Sequence, residues 1–318
     1  MGHAPGYISR DTRNQKRVTK NVQRIGLTGA SGFIGREIIR QARHKQDTVV
    51  AFSRDLQRAI SGTAEVRAFG PEMDLNGLDA IIHLAGEPII GLWTPAKRRR
   101  ILDSRVQGTR WLVESAIRAE RPPGVLVSAS GINIYGDRGD EPLPESAAIG
   151  NSGFLRDVAV AWEQEAQRAR SVGVRVVCLR IAMVLGKEAG ALPLMARVFR
   201  LGGGGRLGTG RQWMPWIHVH DVAGLFLHAA GTESVNGPVN ACAPNSVRNA
   251  DFTKILGEFV RRPTLFPVPA FVLRAALRSE SSLLLDSLRT SPEQALQSGF
   301  EFRFPELHTA LADALGES

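Results

Sequence analysis

The amino-acid sequence predicts an α/β protein with a doubly wound parallel sheet and a smaller, mostly helical C-terminal lobe. Up to residue 185, short apolar runs alternate with amphipathic helical stretches. This alternation is typical of parallel strands joined by crossover helices. Beyond that point the alternation loosens, and 244–316 has the pattern of helices interrupted by prolines. A chain of 318 residues is long enough for one main domain and a smaller partner.

The elements of the main domain follow from these runs in chain order. The apolar runs predict strands near 23–28, 48–53, 64–69, 79–84, 124–129 and 174–181. Apolar residues at helical spacing predict helices near 33–44, 95–119 and 153–171. Two consecutive prolines, Pro122 and Pro123, break the chain just before the fifth strand. The first strand, helix and second strand together form the βαβ unit expected of a parallel sheet.

Composition limits the partners and the compartment of the chain. Hydrophobic content is 43% and charged content 22%, and no apolar stretch approaches the ~20 residues that span a bilayer. Of the formal charge of +9, residues 1–24 hold six basic residues against Asp11, a net of +5, which leaves +4. We therefore expect 1–21 to be a disordered basic extension, with neither nucleic acid nor membrane as partner. Cys178 and Cys242 lie in apolar runs, which indicates buried thiols in a reducing, cytoplasmic compartment.

The stretch RIGLTGASGFIGREIIR, residues 24–40, joins a predicted strand, a tight turn and a helix without a gap. Its glycines have the spacing G-x-x-G-x-x-G, which permits the turn and a close approach of backbone N–H groups to a pyrophosphate. The positive end of the helix dipole also attracts that anion. This loop predicts a Rossmann-type dinucleotide site. The residues expected to contact the cofactor here are Gly29, Ser31, Gly32, Phe33, Ile34, Gly35 and Arg36.

The end of the second strand distinguishes NAD from NADP. NAD-binding units usually place an acidic residue there, which accepts hydrogen bonds from the ribose hydroxyls. Here the run TVVAFSRD ends in Ser53 and Arg54, with Asp55 one step further into the loop. An arginine pairs with a 2′-phosphate, and a serine does not repel it. We therefore expect NADP(H) as the cofactor; the alternative is that Arg54 is only a solvated loop residue.

Several further motifs carry a family resemblance. They are TGASGFIGR, AIIHLAGEPI, SRVQGT, YGDRGDE, RQWMPWIHVHDVA and NACAPNSVRNADF. On these motifs the chain resembles the atypical, extended short-chain dehydrogenase/reductases, and more closely the epimerase family protein subgroup, which is nucleoside-diphosphate-sugar epimerase-like. The resemblance covers residues ~22–316. It implies cofactor contacts from Leu84, Ala85, Gly86, Arg105 and Val184.

The residues that transfer protons in that superfamily do not match in this sequence. Its members usually carry a Ser or Thr and a Tyr-x-x-x-Lys pair, whose lysine lowers the pKa of the phenol. The matching helix, 153–166, has apolar residues at those positions, including Phe154 and Val158. A core-facing surface is the favoured interpretation of both. Ser130 and Tyr135 remain as catalytic candidates at the end of the fifth strand, although packing under the following loop is the favoured interpretation of Tyr135.

The chain divides into two lobes on this interpretation. Residues 22–185 form the NADP-binding domain, to which 217–243 return, while 186–216 and 244–318 form the substrate-binding lobe. The candidate substrate-pocket residues are Lys187, Arg211, Trp213 and Trp216.

His218 and His220 share a strand face but lack a third ligand, so no metal site is predicted. For this segment we favour a strand that leads into a helix capped by Asp221.

The predicted function is therefore an NADP(H)-dependent oxidoreductase or epimerase-like protein that acts on an unidentified small molecule. A homodimer is the candidate assembly. The alternative is a cofactor-bound regulatory or scaffold protein that has kept the fold and lost catalysis. The missing Tyr/Lys pair favours this alternative, whereas the intact cofactor crevice favours the enzyme.

Overall fold

A computed structural model of the chain describes residues 23–57 and 59–316. The predicted basic extension, 1–21, lies outside the described residues. The strands in chain order are β1 Arg24–Thr28, β2 Thr48–Ser53, β3 Glu65–Ala68, β4 Ala80–His83, β5 Val125–Gly131, β6 Pro142–Leu143, β7 Arg175–Ile181, β8 Met183–Leu185, β9 Trp213–Met214, β10 Trp216–His218, β11 Gly237–Ala241, β12 Val247–Arg248 and β13 Arg289–Thr290.

The α-helices lie between and after these strands. They are α1 Phe33–His44, α2 Pro95–Arg118, α3 Phe154–Gln167, α4 Leu192–Arg200, α5 Val219–Gly231, α6 Asn249–Phe259, α7 Ala270–Leu277, α8 Ser282–Leu285, α9 Glu293–Gln297 and α10 Leu307–Leu315. No helix within the described residues combines the length and the apolar character needed to cross a membrane.

Seven strands form one parallel sheet, in the order β11-β7-β5-β4-β1-β2-β3. The chain runs outward from β1 in one direction through β2 and β3, and then returns to build the other half from β4. The strand order therefore reverses between β1 and β4, where ligands of such sheets bind at the carboxyl ends of the strands. The predicted fold class, a Rossmann-type doubly wound parallel sheet, is confirmed.

Helices cover both faces of this sheet. Apolar side chains of α1 and α5, such as Ile38 and Phe226, pack on one face, and those of α2 and α3, such as Leu112 and Ala166, pack on the other. Alternate residues of each strand face opposite sides, so the central strands are apolar throughout. The six strands and three helices predicted before residue 185 are all present. The end of the third predicted helix is instead a 3₁₀ turn, Arg168–Val172.

The C-terminal lobe has a core of its own. Helices α4, α6 and α10 pack together there through Leu192, Phe252 and Leu311. Asp221 connects this lobe to the sheet, but not as the predicted helix cap. The N-cap of α5 is His218, and the Asp221 carboxylate instead accepts two backbone N–H bonds of 2.9 Å from the chain just before α10.

Candidate functional site

The turn after β1 is built as the glycine spacing predicts. Gly29 has a φ of +70°, which residues with a side chain rarely adopt. A Cβ on Gly35 would lie 2.3 Å from the carbonyl oxygen of Gly29, so α1 packs directly on the turn. Helix α1 begins at Phe33 after Gly32, without a side-chain cap or an acidic residue in its first turn. The first N–H groups of α1 therefore lack a capping acceptor, which fits a bound pyrophosphate.

The remaining predicted residues of this turn have different surroundings. Ser31 is exposed, and Ile34 packs partly buried against the core under α1. Phe33 lies against the loop after β8, where a Cβ on Gly186 would meet its ring at 2.5 Å. In that same region Val184, on β8, pairs with Ile217 of β10. Val184 is partly buried against the main core.

Among the residues that the structure describes, the carboxyl end of β2 offers one free cation. The Ser53 hydroxyl bonds with the backbone of Asp55, and the Asp55 carboxylate accepts an N–H bond within the same loop. Arg36 is held by Glu188, 3.0 Å from its Nη2. Arg54 is exposed and has no side-chain hydrogen bond or ion pair among residues 23–57 and 59–316. Within the described part of this loop, Arg54 is therefore the guanidinium available to an anion.

A buried histidine fixes the loop that follows β4. His83 Nδ1 lies 2.7 Å from the Thr28 hydroxyl, and that hydroxyl oxygen accepts the N–H groups of Leu84 and Ala85 at 3.0 and 3.1 Å. Because Thr28 receives two donors, its own proton goes to His83 Nδ1. Burial lowers the pKa of His83 to about 3, so the ring is neutral. Sequence reasoning missed this residue, although a histidine inside the apolar run AIIHLAG was a visible signal.

The contacts of the second ring nitrogen of His83 show which nitrogen carries the proton. Its Nε2 lies 3.0 Å from the Thr109 hydroxyl, which itself donates to the backbone oxygen of Arg105 at 2.6 Å. His83 Nε2 therefore carries the proton and donates it to Thr109. This chain of bonds connects β1, β4 and α2 below the candidate crevice.

Arg105 occupies the space that Gly86 leaves free. A Cβ on Gly86 would lie 3.1 Å from the guanidinium carbon of Arg105. That guanidinium donates to the backbone oxygen of Glu87 at 2.9 Å and lies 5.0 Å from the centre of the Trp162 ring. Burial lowers the pKa of Arg105 to about 10, so it remains a cation at neutral pH. The positive charge of Arg105 therefore lies beside the loop that follows β4. Arg105 forms no ion pair with another of the described residues.

The two catalytic candidates belong to one buried network. The Ser130 hydroxyl donates to Glu163 Oε1 at 2.7 Å. Arg180 donates to both oxygens of that carboxylate at 2.9 Å and to the Tyr135 hydroxyl at 2.8 Å. The Tyr135 hydroxyl in turn donates to Asn240 Oδ1 at 2.8 Å. Sequence reasoning missed Glu163, Arg180 and Asn240.

The structure argues against Tyr135 as a catalytic acid. Its side chain is fully buried, with 0% of its surface exposed. Burial also raises the pKa of its phenol, although Arg180 acts in the opposite direction. Tyr135 therefore cannot touch a substrate in this arrangement, and it holds the network in place.

The predicted substrate-pocket residues do not form one group. Trp213 contacts Arg248 and Arg289, whose guanidinium carbons are 4.5 and 5.1 Å from its ring centre. Arg211 is exposed in the turn just before it. Lys187 instead lines a separate cavity of about 210 Å³ with residues of α4 and α10. The structure contradicts the prediction that Trp216 lines the substrate pocket. Trp216 is 0% exposed and packs in the core of the C-terminal lobe, so it lines no surface that a ligand reaches.

The two neighbouring histidines have protein partners. His218 is buried with its ring centre 4.0 Å from that of Phe304. His220 lies within hydrogen-bond distance of Glu37 and Gln41. Within the described part of the chain, no three His, Cys, Asp or Glu side chains group in a way that could hold a metal ion.

Comparisons with known proteins identify the family. The model of the NAD dependent epimerase/dehydratase family matches residues 25–242. The chain belongs to this family. A second model, a domain of unknown function (DUF1731), matches 268–314. The predicted resemblance is therefore confirmed.

Individual members of the epimerase/dehydratase family match along almost their whole length. Epimerase family protein YfhF of Bacillus subtilis is 34% identical over 92% of this chain and 98% of its own. The crystal structure of the human epimerase family protein SDR39U1, solved with NADPH, is 30% identical with a TM-score of 0.84. The match covers 93% of this chain and 100% of the human chain.

The helix that would carry a Tyr-x-x-x-Lys pair in the wider superfamily presents an apolar surface in this family member. The ring of Phe154 packs edge-on against that of Trp93, with centres 5.2 Å apart. Val158 is buried beside Trp93 and Ile101. The core-facing interpretation of Phe154 and Val158 is confirmed.

Proposed function

We propose that this chain binds NADP(H) at the carboxyl ends of β1, β2 and β4 and uses it in an oxidoreductase or epimerase-like reaction on a small molecule. The observation that carries this proposal is the uncapped, glycine-lined start of α1 together with the free guanidinium of Arg54. The human relative solved with NADPH supports the same choice of cofactor. When bound, NADP(H) supplies hydride transfer.

Three groups of this chain would hold the cofactor. The N–H groups at the start of α1 suit its pyrophosphate, and Arg54 suits a 2′-phosphate because a guanidinium binds phosphate oxygens in pairs. The loop of Leu84, Ala85 and Gly86 offers backbone and small side chains for close approach, and Thr28 and His83 fix its start. Ser53 places a neutral hydroxyl where an acidic residue would repel a phosphate.

Ser130 is our candidate for handling the substrate proton. It lies near the carboxyl end of β5, the edge at which ligands of these sheets bind. Its single proton is given to Glu163, and Arg180 holds that carboxylate in place. Ser130 is itself buried, with 4% of its surface exposed, so a substrate hydroxyl must reach into this edge of the sheet to bond with its oxygen lone pairs. The substrate proton would then pass to Ser130 while the Ser130 proton passes to Glu163. This arrangement suits a reaction that begins from an alcohol.

A turnover screen tests the enzymatic proposal. The parent is assayed for reduction of NADP by alcohols and for consumption of NADPH by carbonyl compounds. With a substrate found, Ser130→Ala should slow single-turnover hydride transfer roughly 10²–10⁴-fold, the usual effect of a positioned proton-transfer group. Ser171→Ala, on an exposed serine after α3, is the matched control. A Ser130→Ala variant that keeps the parent rate and still binds NADPH would exclude this role.

The second candidate is a non-catalytic, NADP(H)-binding regulatory or scaffold protein. The apolar packing of Phe154 and Val158 favours it, because the positions of the usual catalytic pair fall on Phe154 or Leu155 and on Val158 or Ala159, which are all apolar. In that case the parent binds NADPH but turns over no alcohol or carbonyl compound in the screen.

A further inference from the structure

Helix α4 has apolar residues on two opposite faces. Its inner face packs in the C-terminal lobe through Leu192, Met195 and Phe199. Its outer face presents Leu194 and Val198, exposed at 57% and 43%, and continues to Leu201, exposed at 80%. The spacing of these three residues places them on one stripe of the helix. A surface helix normally presents polar residues to water, so this stripe is an apolar face without a partner in the described structure.

The chain from Arg262 to Phe271 lies alongside the end of α4 and extends this face. Arg262 Nε donates to the backbone oxygen of Arg200 at 3.0 Å, and Gly208 N donates to the backbone oxygen of Val268 at 2.8 Å. This segment presents three large apolar side chains to solvent, each exposed by 71–80%: Leu265, Phe266 and Phe271.

The segments that carry these side chains are rich in arginine. Residues 189–211 and 259–278 each contain four arginines and no Asp or Glu. We call the exposed residues of these two segments the arginine-rich surface. Among the described residues, none of the eight arginines forms an ion pair with a carboxylate, unlike many arginines elsewhere in the chain. The eight are Arg197, Arg200, Arg206, Arg211, Arg261, Arg262, Arg274 and Arg278.

We propose that the arginine-rich surface binds peripherally to an anionic lipid bilayer. Exposed Leu and Phe side chains enter the headgroup region, and the arginines pair with lipid phosphates, as in other interfacial helices. Charge complementarity selects this partner. A second copy of the chain would oppose like charges on this surface, and nucleic acid would leave the protruding apolar side chains uncovered. Such a contact needs no membrane-spanning helix, and it is a proposal that differs from the sequence-based expectation of no membrane partner.

Vesicle sedimentation of the full chain tests this proposal. We expect binding to phosphatidylcholine vesicles that contain phosphatidylglycerol, weak binding to pure phosphatidylcholine, and release at high salt. The double variant Leu265→Ser with Phe266→Ser should weaken the anionic partition roughly ten-fold or more, since both side chains lose apolar area. Leu296→Ser is the matched control, because Leu296 is 50% exposed on α9, outside the surface. Thermal unfolding checks that both variants remain folded.

Four outcomes would overturn the proposal. The first is a parent that does not bind anionic vesicles, and the second is one that binds neutral vesicles equally well. The third is a double variant that binds as the parent does, which would assign the binding to the basic residues within 1–24. The fourth is a parent that self-associates in sedimentation velocity when the double variant does not, which would make a second copy the partner.

Discussion

His83 is a single buried side chain that orders the edge where the cofactor is proposed to bind. It connects Thr28 on β1 with Thr109 on α2, and Thr28 in turn holds the backbone of Leu84 and Ala85. The ring performs this role only when neutral, because Nδ1 must accept a proton from Thr28. The loop after β4 is therefore sensitive to the protonation of one imidazole.

This burial predicts a pH dependence of stability. Histidine in an unfolded chain titrates near pH 6.5, whereas burial lowers the pKa of His83 to about 3 in the folded protein. Between these values the unfolded state binds a proton that the folded state does not. The contribution of His83 to stability is therefore complete above pH 6.5 and is lost progressively as pH falls toward 3.

Urea unfolding at pH 7.5 and pH 5 measures this dependence. In His83→Asn the loss of unfolding free energy between the two pH values should be smaller than in the parent, since the titrating group is gone. The exposed His44, changed to Asn, is the control and should keep the parent's loss. An equal loss in the parent and in His83→Asn would show that another group causes it.

Sequence reasoning was most informative where function constrains a residue locally. Gly29 and Gly35 were predicted because only a residue without a Cβ fits their φ or their close backbone contact. His83 and Arg180 were not predicted, because their partners are distant along the chain. Arg180, for example, meets Tyr135, which lies 45 residues earlier.

At the scale of elements, strand register brings the buried network together. Ser130 on β5 and Asn240 on β11 both pair with Arg180 on β7, the strand between them. In parallel strands, residues opposite each other point to the same face, so the three side chains form one polar row. Helix α3 adds Glu163 from above this row. The network therefore fixes α3 to the carboxyl edge of three neighbouring strands.

Breaking this network should destabilise the protein strongly. In Glu163→Gln the Arg180 guanidinium, whose side chain is 5% exposed, loses its carboxylate inside the protein. Removing one partner of a buried pair typically costs about 3–5 kcal/mol of unfolding free energy. Glu141→Gln is the control, because the Glu141 side chain is 48% exposed in its pair with Arg138 and its loss should cost at most about 1 kcal/mol. Equal losses in the two variants, measured by urea unfolding, would contradict this account.

Element prediction succeeded for long strands and failed for short ones. The apolar runs of β5 and β7 are seven residues each and were predicted with small errors at their ends. The pairs β8–β10 and β9–β12 have two or three residues per strand, too few for a periodic pattern. Their pairing depends on contacts between 183–185 and 216–218 that only the folded chain makes.

At the scale of the whole molecule, charge is distributed unevenly over two regions. One is the carboxyl edge of the sheet, where Arg54 follows β2, Arg105 lies beside Gly86 after β4, and α1 begins without a cap. The other is the arginine-rich surface of the C-terminal lobe. Net charge alone did not predict either, since 25–318 carry only +4 after the +5 of 1–24 is removed from +9. The burial of Trp216 was also not predictable, because tryptophan side chains occur both in cores and at binding surfaces.

A cofactor titration of the full chain tests the central claim most directly. Isothermal titration should show that the parent binds NADPH roughly ten-fold or more tightly than NADH, the effect expected of one charge-assisted phosphate contact. Arg54→Ala should lose most of this preference and keep its affinity for NADH. Arg121→Ala, an exposed arginine at the opposite edge of the sheet, should bind as the parent does. Equal affinity of the parent for NADPH and NADH, or an Arg54→Ala variant with the full preference, would contradict the claim.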